Sequence, residues 1–290
     1  MNRKIIFALT LLLAFSIYFT HAAETELVGD RTMRISFAPS FGLQIQEWEG
    51  MEVGKVMNVS LGLGVEYGIN NWFSVQALWF PGVNAWSDYD NGDYGFFSDG
   101  FIGFKAAIMG NQGFISHDMH RVAVGAGLKT PLPSRTDSAR EGDKHLWGSA
   151  FQAYYDIMIV PLFYLNFFTE FVVYPDQRLK GPNYTTRSVK HPLDITFEID
   201  SRFKYEILGK GVTLHWGIPL TLFVSPWINR NDANAEETQL SFTPGVFFTA
   251  SFTDYKVPFD ISVRYTAPVV GLAIEPIHRV SLLGRIYINL

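Results

Sequence analysis

Residues 193–207, LDITFEIDSRFKYEI, alternate in character over fifteen positions with one break. Leu193, Ile195, Phe197, Ile199, Phe203, Tyr205 and Ile207 fall on one side, interrupted by Ser201. Asp194, Thr196, Glu198, Asp200, Arg202, Lys204 and Glu206 fall on the other. A period of two is the signature of a β-strand with one apolar and one polar face. The polar face holds too many ionisable groups to be the inside of a sandwich. At about 3.3 Å per residue the strand is roughly 50 Å long, against a usual length of about 5–6 residues. Two architectures accommodate it: a long hairpin of a soluble exported β-protein, or the tilted wall of a membrane barrel with lipid outside and a polar lumen inside.

The amino terminus sends the chain out of the cytoplasm. Residues 1–22 have the form of a secretory signal: Arg3 and Lys4, an apolar core from Ile5 to Phe19, and Thr20-His21-Ala22 supplying small residues for cleavage after Ala22. The remainder, 23–290, shows no composition break and reads as a single domain. The formal net charge is −5, more negative still without Arg3 and Lys4, which argues against a nucleic-acid partner. With no cysteine there is no disulfide, thiolate metal site or lipid-bearing cysteine. Hydrophobic residues reach 48%, yet no apolar run of 18 follows the leader, which excludes helical membrane spans.

Eleven further segments repeat the alternation, at about 32–46, 55–69, 72–86, 97–109, 120–130, 146–159, 163–174, 212–225, 239–252, 257–268 and 279–290. The second is the cleanest, with Met57, Val59, Leu61, Leu63, Val65, Tyr67 and Ile69 against Asn58, Ser60, Gly62, Gly64, Glu66 and Gly68. Twelve strands is an even number, and the connections sort by parity. Those joining strands 2–3, 6–7, 8–9 and 10–11 are tight, with 110–119 (strands 4–5) the exception; the odd-numbered ones are longer and mostly polar. Short turns on one side and long loops on the other is the asymmetry of outer-membrane barrels, and a soluble sandwich has no reason to show it. The sequence therefore predicts an all-β, transmembrane, antiparallel up-and-down barrel of about 12 strands in a bacterial outer membrane. Trp48, Trp72, Trp86, Trp147, Trp227, Tyr174, Tyr205 and Tyr287 near strand ends suit the interfacial girdles.

In such a barrel the polar face lines the lumen. The expected pore-lining residues are Glu66, Asp99, Lys105, Arg121, Lys129, Asp156, Glu170, Glu198, Asp200, Arg202, Lys204, Arg264 and Arg285, joined by Asp194, Asp260 and His215. Two readings stay open: the opposed charges set a transverse field for polar or zwitterionic solutes, or they pair and stiffen the wall. Phe80, Phe97, Phe101, Val172, Tyr174 and Phe223 form an expected apolar mouth in the outer half, where a hydrophobic or aromatic molecule could enter. About nine residues separate the leader from the first strand. That is too few for a plug domain, so gating is expected from wall side chains or outer loops.

The whole chain after the leader resembles a mid-sized bacterial outer-membrane channel. Val124-Gly125-Ala126-Gly127-Leu128-Lys129-Thr130-Pro131 resembles a strand of FadL-related channels for hydrophobic and aromatic compounds. The match covers one strand, and the missing amino-terminal hatch departs from the fatty-acid transporter of that family. The last strand, with Ile286, Ile288 and Leu290 on its outer face, resembles the terminal strand read by the barrel assembly machinery, with Leu290 where Phe is usual. The expected partners are thus outer-membrane lipid, that machinery and a small-molecule solute.

No cofactor, metal or catalytic group is expected. Ser116-His117-Asp118-Met119-His120 has the residue types of an outer-membrane phospholipase, but in a connection and in the wrong register. His117 and His120 alone lack the fixed geometry of a metal site. Asp88-Tyr89-Asp90-Asn91-Gly92-Asp93 has its glycine one position early for a calcium loop, and no bidentate Glu follows. Against a channel stands a structural or adhesive surface barrel with a filled lumen and ligand-binding outer loops.

Overall fold

The computed structural model describes residues 27–48, 51–87, 96–111, 113–131, 147–173, 177–180, 186–189, 193–207, 211–225, 239–272 and 277–290. The proposed leader and its cleavage site lie outside these. The strands are β1 (Thr32–Trp48), β2 (Met51–Asn70), β3 (Phe73–Ser87), β4 (Phe96–Met109), β5 (His120–Pro131), β6 (Gly148–Val160), β7 (Phe163–Val173), β8 (Gln177–Lys180), β9 (Thr186–Val189), β10 (Leu193–Ile207), β11 (Val212–Ser225), β12 (Gln239–Phe252), β13 (Phe259–Thr266), β14 (Val270–Leu272) and β15 (Ile277–Asn289). Among the described residues no helix is long and apolar enough to cross a membrane.

Twelve of these strands form one closed antiparallel meander. β1 pairs with β15 from Thr32 opposite Asn289 to Gln44 opposite Ile277, which joins the first strand to the last. β14 prolongs β13 after an interruption and rejoins β12 at Leu240–Phe242. β8 and β9 pair with each other in a separate two-stranded sheet. Followed once round the wall, the register returns to β1 roughly 14 residues along, which for twelve strands gives a tilt near 40° and a backbone radius of about 11 Å.

Side chains alternate across this wall. Phe37, Val65, Ile102, Leu128, Phe151 and Phe248 are exposed on the outside. Ser36, Glu66, Gln76, Lys105, Gln152 and Asp156 are buried on the inside. Ile102 is 63% exposed and Glu198, on β10, is 0% exposed. In water that distribution is inverted; in a bilayer it is what a spanning barrel requires, because the tails solvate the apolar face and leave polar groups no solvent but each other.

Aromatic rings brace the short-turn end. Phe203 lies between Phe163 and Trp216 at centroid distances of 4.7 and 4.3 Å, and Phe252 stacks on Phe259 at 4.5 Å. Trp72, Trp147 and Tyr205 are exposed, as girdle residues are. Tyr287 is not one of them: its hydroxyl donates to Asp260 inside the barrel at 2.6 Å, because the alternation that points Ile286 outward points its neighbour inward. The side chains of Trp48, Trp86, Trp227 and Tyr174 lie outside the described residues.

The connections also differ in detail from the sequence reading. β1 and β2 stay paired, across a register shift between Gln46 and Glu47, to Trp48 opposite Met51, so the ladder runs into the stretch that the sequence reads as a loop of eight residues. The polar segment 175–192 contains the β8–β9 hairpin. Both follow from one fact: antiparallel pairing satisfies backbone groups beyond the lipid as well as within it.

Ile102, near mid-height on β4, tests the orientation. Ile102→Arg is expected to destabilise the barrel by about 2–4 kcal/mol in urea unfolding from phosphatidylcholine vesicles, and Ile102→Leu by under about 1 kcal/mol.

Candidate functional site: the lumen

The inner face carries a series of charged pairs. Near the short-turn end Arg34 pairs with Glu66, whose other oxygen accepts from Ser74 Oγ at 2.7 Å. Beside them Arg285 lies 3.8 Å from Asp260, which also accepts from Tyr287. Higher up, Arg264 Nη2 donates to Glu198 Oε2 at 3.1 Å, and Thr221 Oγ1 donates to the same oxygen at 3.0 Å. Arg202 Nε donates to Asp200 at 3.1 Å, with its guanidinium 5.5 Å from the Phe247 ring centre. Lys129 meets Glu170 at 2.7 Å; Gln152 donates to the other Glu170 oxygen at 2.7 Å and accepts from Tyr154 at 2.8 Å. Lys105 Nζ sits 4.4 Å from the centre of the Tyr154 ring.

Small residues on the intervening strands let these long side chains meet. Lys129 on β5 reaches Glu170 on β7 past Gly148, its own register partner on β6, and past the buried Ala150. Arg264 on β13 reaches Glu198 on β10 across two strands, where the wall carries Gly245 and the fully buried Pro219; a Cβ on Gly245 would lie 3.1 Å from Pro219. The pairs therefore run along the wall. Phe101 behaves likewise: a Cβ on Gly103 or Gly127 would come within 2.6 or 2.5 Å of its ring, so the ring lies flat over both glycines.

The other sequence candidates fall as follows. Arg121 is opposite Asp156 in register, and Lys204 is opposite His215. Phe80 on β3 and Phe101 on β4 are on neighbouring strands, while Val172 and Phe223 lie further round, on β7 and β11, opposite Asp194 and Thr196. The backbones of Asp99 and Phe97 pair with Phe80 and Gly82. Their side chains, and all of Tyr174, lie outside the described residues. Sequence reasoning passed over Arg34 and Gln152 as site residues; both sit in inner-face positions of a plain alternation, so the signal was present.

It also missed the segment ahead of β1. Leu27 and Val28 are 5% and 3% exposed. Leu27 packs with Ala107, Ala123, Tyr154 and Phe168, on β4 to β7, inside the lumen. The chain turns at Arg31, whose φ of 52° is left-handed, and is pinned by Arg31 N to Gly68 O at 2.9 Å and Leu290 N to Arg31 O at 3.0 Å. A Cβ on Gly68 would collide with the carbonyl oxygens of Val28 and Gly29, so only glycine admits the strap. Leu27–Gly29 thus crosses from the β1 rim to the wall on β4–β7. The few residues ahead of β1 thus set a leucine beside two alanines of the inner wall, Ala107 and Ala123.

At the short-turn end, His117 Nδ1 accepts the amide protons of Met119 and His120 at 3.2 and 3.0 Å. Its ring proton is then on Nε2, and neither nitrogen has a lone pair for a metal. His120 Nδ1 is engaged with Tyr155 Oη at 2.8 Å. Among the described residues no three His, Asp or Glu gather to hold an ion. Residues 88–93 lie outside them.

Closure, an outward apolar face and a polar interior define an outer-membrane β-barrel. No protein-family model matches the sequence, and no curated protein does. Among solved structures the chain is similar to an outer-membrane channel from Pseudomonas putida F1, with a TM-score of 0.61 at 13% identity, over 91% of this chain and 98% of that one. It is also similar to the β domain of the Bordetella autotransporter Brka, with a TM-score of 0.50 at 14% identity, over 89% and 99%. A variant of the monoaromatic hydrocarbon channel TodX aligns at a TM-score of 0.41 and 6% identity, over 90% and 91%. At these identities the likeness to the Pseudomonas channel and to the Brka domain is one of fold, that of an outer-membrane barrel.

Glu198→Gln should destabilise the barrel by about 3 kcal/mol in urea unfolding, since it leaves the Arg264 cation without its counter-charge in a closed interior. The double variant with Arg264→Gln should lose less than the sum of the two single changes.

Proposed function

We propose that the protein is a passive outer-membrane channel for small solutes, stopped at its periplasmic end by the Leu27–Gly29 strap. The observation that carries this reading is the contrast between wall and strap. Charged side chains bridge along the wall over glycine, alanine and proline, whereas the segment ahead of β1 enters the bore with only two aliphatic side chains, Leu27 and Val28. A lumen built to be solid would be spanned by its own wall residues, as small barrels are. The fold likeness to the Pseudomonas channel supports the same reading. Because acids and bases are matched along the wall, the lumen discriminates weakly between cations and anions. Tyr154, Phe168, Phe101 and the two alanines of the notch favour solutes with a small hydrophobic or aromatic part.

A second reading, a structural or adhesive barrel, draws on the β8–β9 hairpin and on the Brka likeness. Planar-bilayer recording separates the two. Wild-type protein should give small, infrequent conductance steps; Leu27→Ser and Gly68→Val, which unseat the strap in different ways, should each raise conductance several-fold, with a reversal potential near zero in a salt gradient. Silence from both variants, at normal heat-modifiability on gels, would remove the channel reading and favour the surface barrel.

A further inference from the structure

The described ion pairs of the lumen match acid to base, but the two partners are not equally exposed. Arg264 keeps 13% of its side chain exposed while Glu198 keeps none, and Arg202 keeps 15% against 2% for Asp200. Arg34 and Lys129 are likewise more exposed than Glu66 and Glu170; among the described pairs Arg285–Asp260 runs slightly the other way. The matched count governs how small ions pass. A larger solute that touches the wall meets the bases first.

One register row runs along the inner wall from β10 to β1: Arg202, Gly217, Phe247, Arg264, Ser281 and Ser40, each the direct partner of the next. All six fall on the inward side of the alternation. Phe247 therefore stands between two arginines. A Cβ on Gly217 would lie 2.7 Å from the Phe247 ring, so the ring extends over that glycine toward Arg202, whose guanidinium is 5.5 Å from the ring centre. On the other side Arg264 gives Nη1 and Nη2 to Glu198, and its Nε has no hydrogen-bond partner. Further along the row Ser40 is fully enclosed, and its Oγ has no partner either. Enclosed polar atoms are normally satisfied, so both orphans call for a polar guest that the wall itself does not supply. An apolar ring flanked by guanidinium groups, with hydroxyls alongside, suits a flat ring that bears a carboxylate: the rings stack and the carboxylate accepts charge-assisted N–H bonds.

We infer that the Arg202–Phe247–Arg264 row binds a small aromatic carboxylate. The inference rests on the channel reading, since the solute must enter the lumen, but its test does not use conductance. Full-length protein in phosphatidylcholine nanodiscs, as wild type and as Leu27→Ser, is titrated calorimetrically with benzoate, benzamide and acetate. Benzoate is expected to bind, with benzamide and acetate each weaker by about ten-fold or more. Phe247→Leu should weaken benzoate about five-fold or more, and Phe248→Leu, which removes the neighbouring ring from the lipid face, less than about two-fold. Unchanged heat-modifiability of both variants establishes that the barrel is intact. Benzoate binding by a protein that is silent in bilayers would uphold the site and remove the channel; conductance without benzoate binding would remove the site alone. Three results would each overturn the assignment: no benzoate heat from either wild type or Leu27→Ser, benzamide binding as tightly as benzoate, or equal losses for Phe247→Leu and Phe248→Leu.

Discussion

Within lipid a peptide group has no water to fall back on, and every other property of this molecule follows from that. An open sheet would leave two strands with a row of unmet N–H and C=O groups in hydrocarbon, at several kcal/mol each. The pairing of β1 with β15 removes both edges at once. Once the wall is closed, its outside must be apolar and its inside must satisfy itself. That is why Phe37 and Ile102 face out while Glu198 and Asp200 are enclosed with Arg264 and Arg202.

Closure at this stagger also fixes how the interior can be furnished. A radius of about 11 Å is too tight for long side chains on every strand and too wide for short ones to touch. The wall resolves this by setting Gly148 and Ala150 between Lys129 and Glu170, and Pro219 and Gly245 between Glu198 and Arg264. Each pair neutralises itself and stiffens three or four strands together. The described ion pairs join groups along the circumference of the wall.

How much of this was legible in the sequence depends on whether the signal was periodic. The period of two in 193–207 and 55–69 fixed which side chains face in, and β10 runs over the very residues that alternation marked, Leu193–Ile207. Strand pairing beyond the lipid was less visible, since 46–54 has the polar composition of a loop, yet Gln46, Glu47 and Trp48 pair with Gly54, Glu52 and Met51. The Leu27 strap was not legible at all. Leu-Val-Gly-Asp ahead of a strand has no periodicity, and its burial comes from Ala107 and Ala123, some 80 and more positions away, being small. The flat seating of Phe101 was hidden in the same way, since it depends on Gly127 across a strand pair.

The hydrogen bond from Leu290 N to Arg31 O joins the far end of β15 to the turn that precedes β1. It therefore lies at the seam where the wall closes on itself. Loop-closure entropy for so distant a contact is recovered only when that seam zips. Seating of the short segment ahead of β1 and closure of the wall are thereby one event, and a disturbance of either is felt by the other.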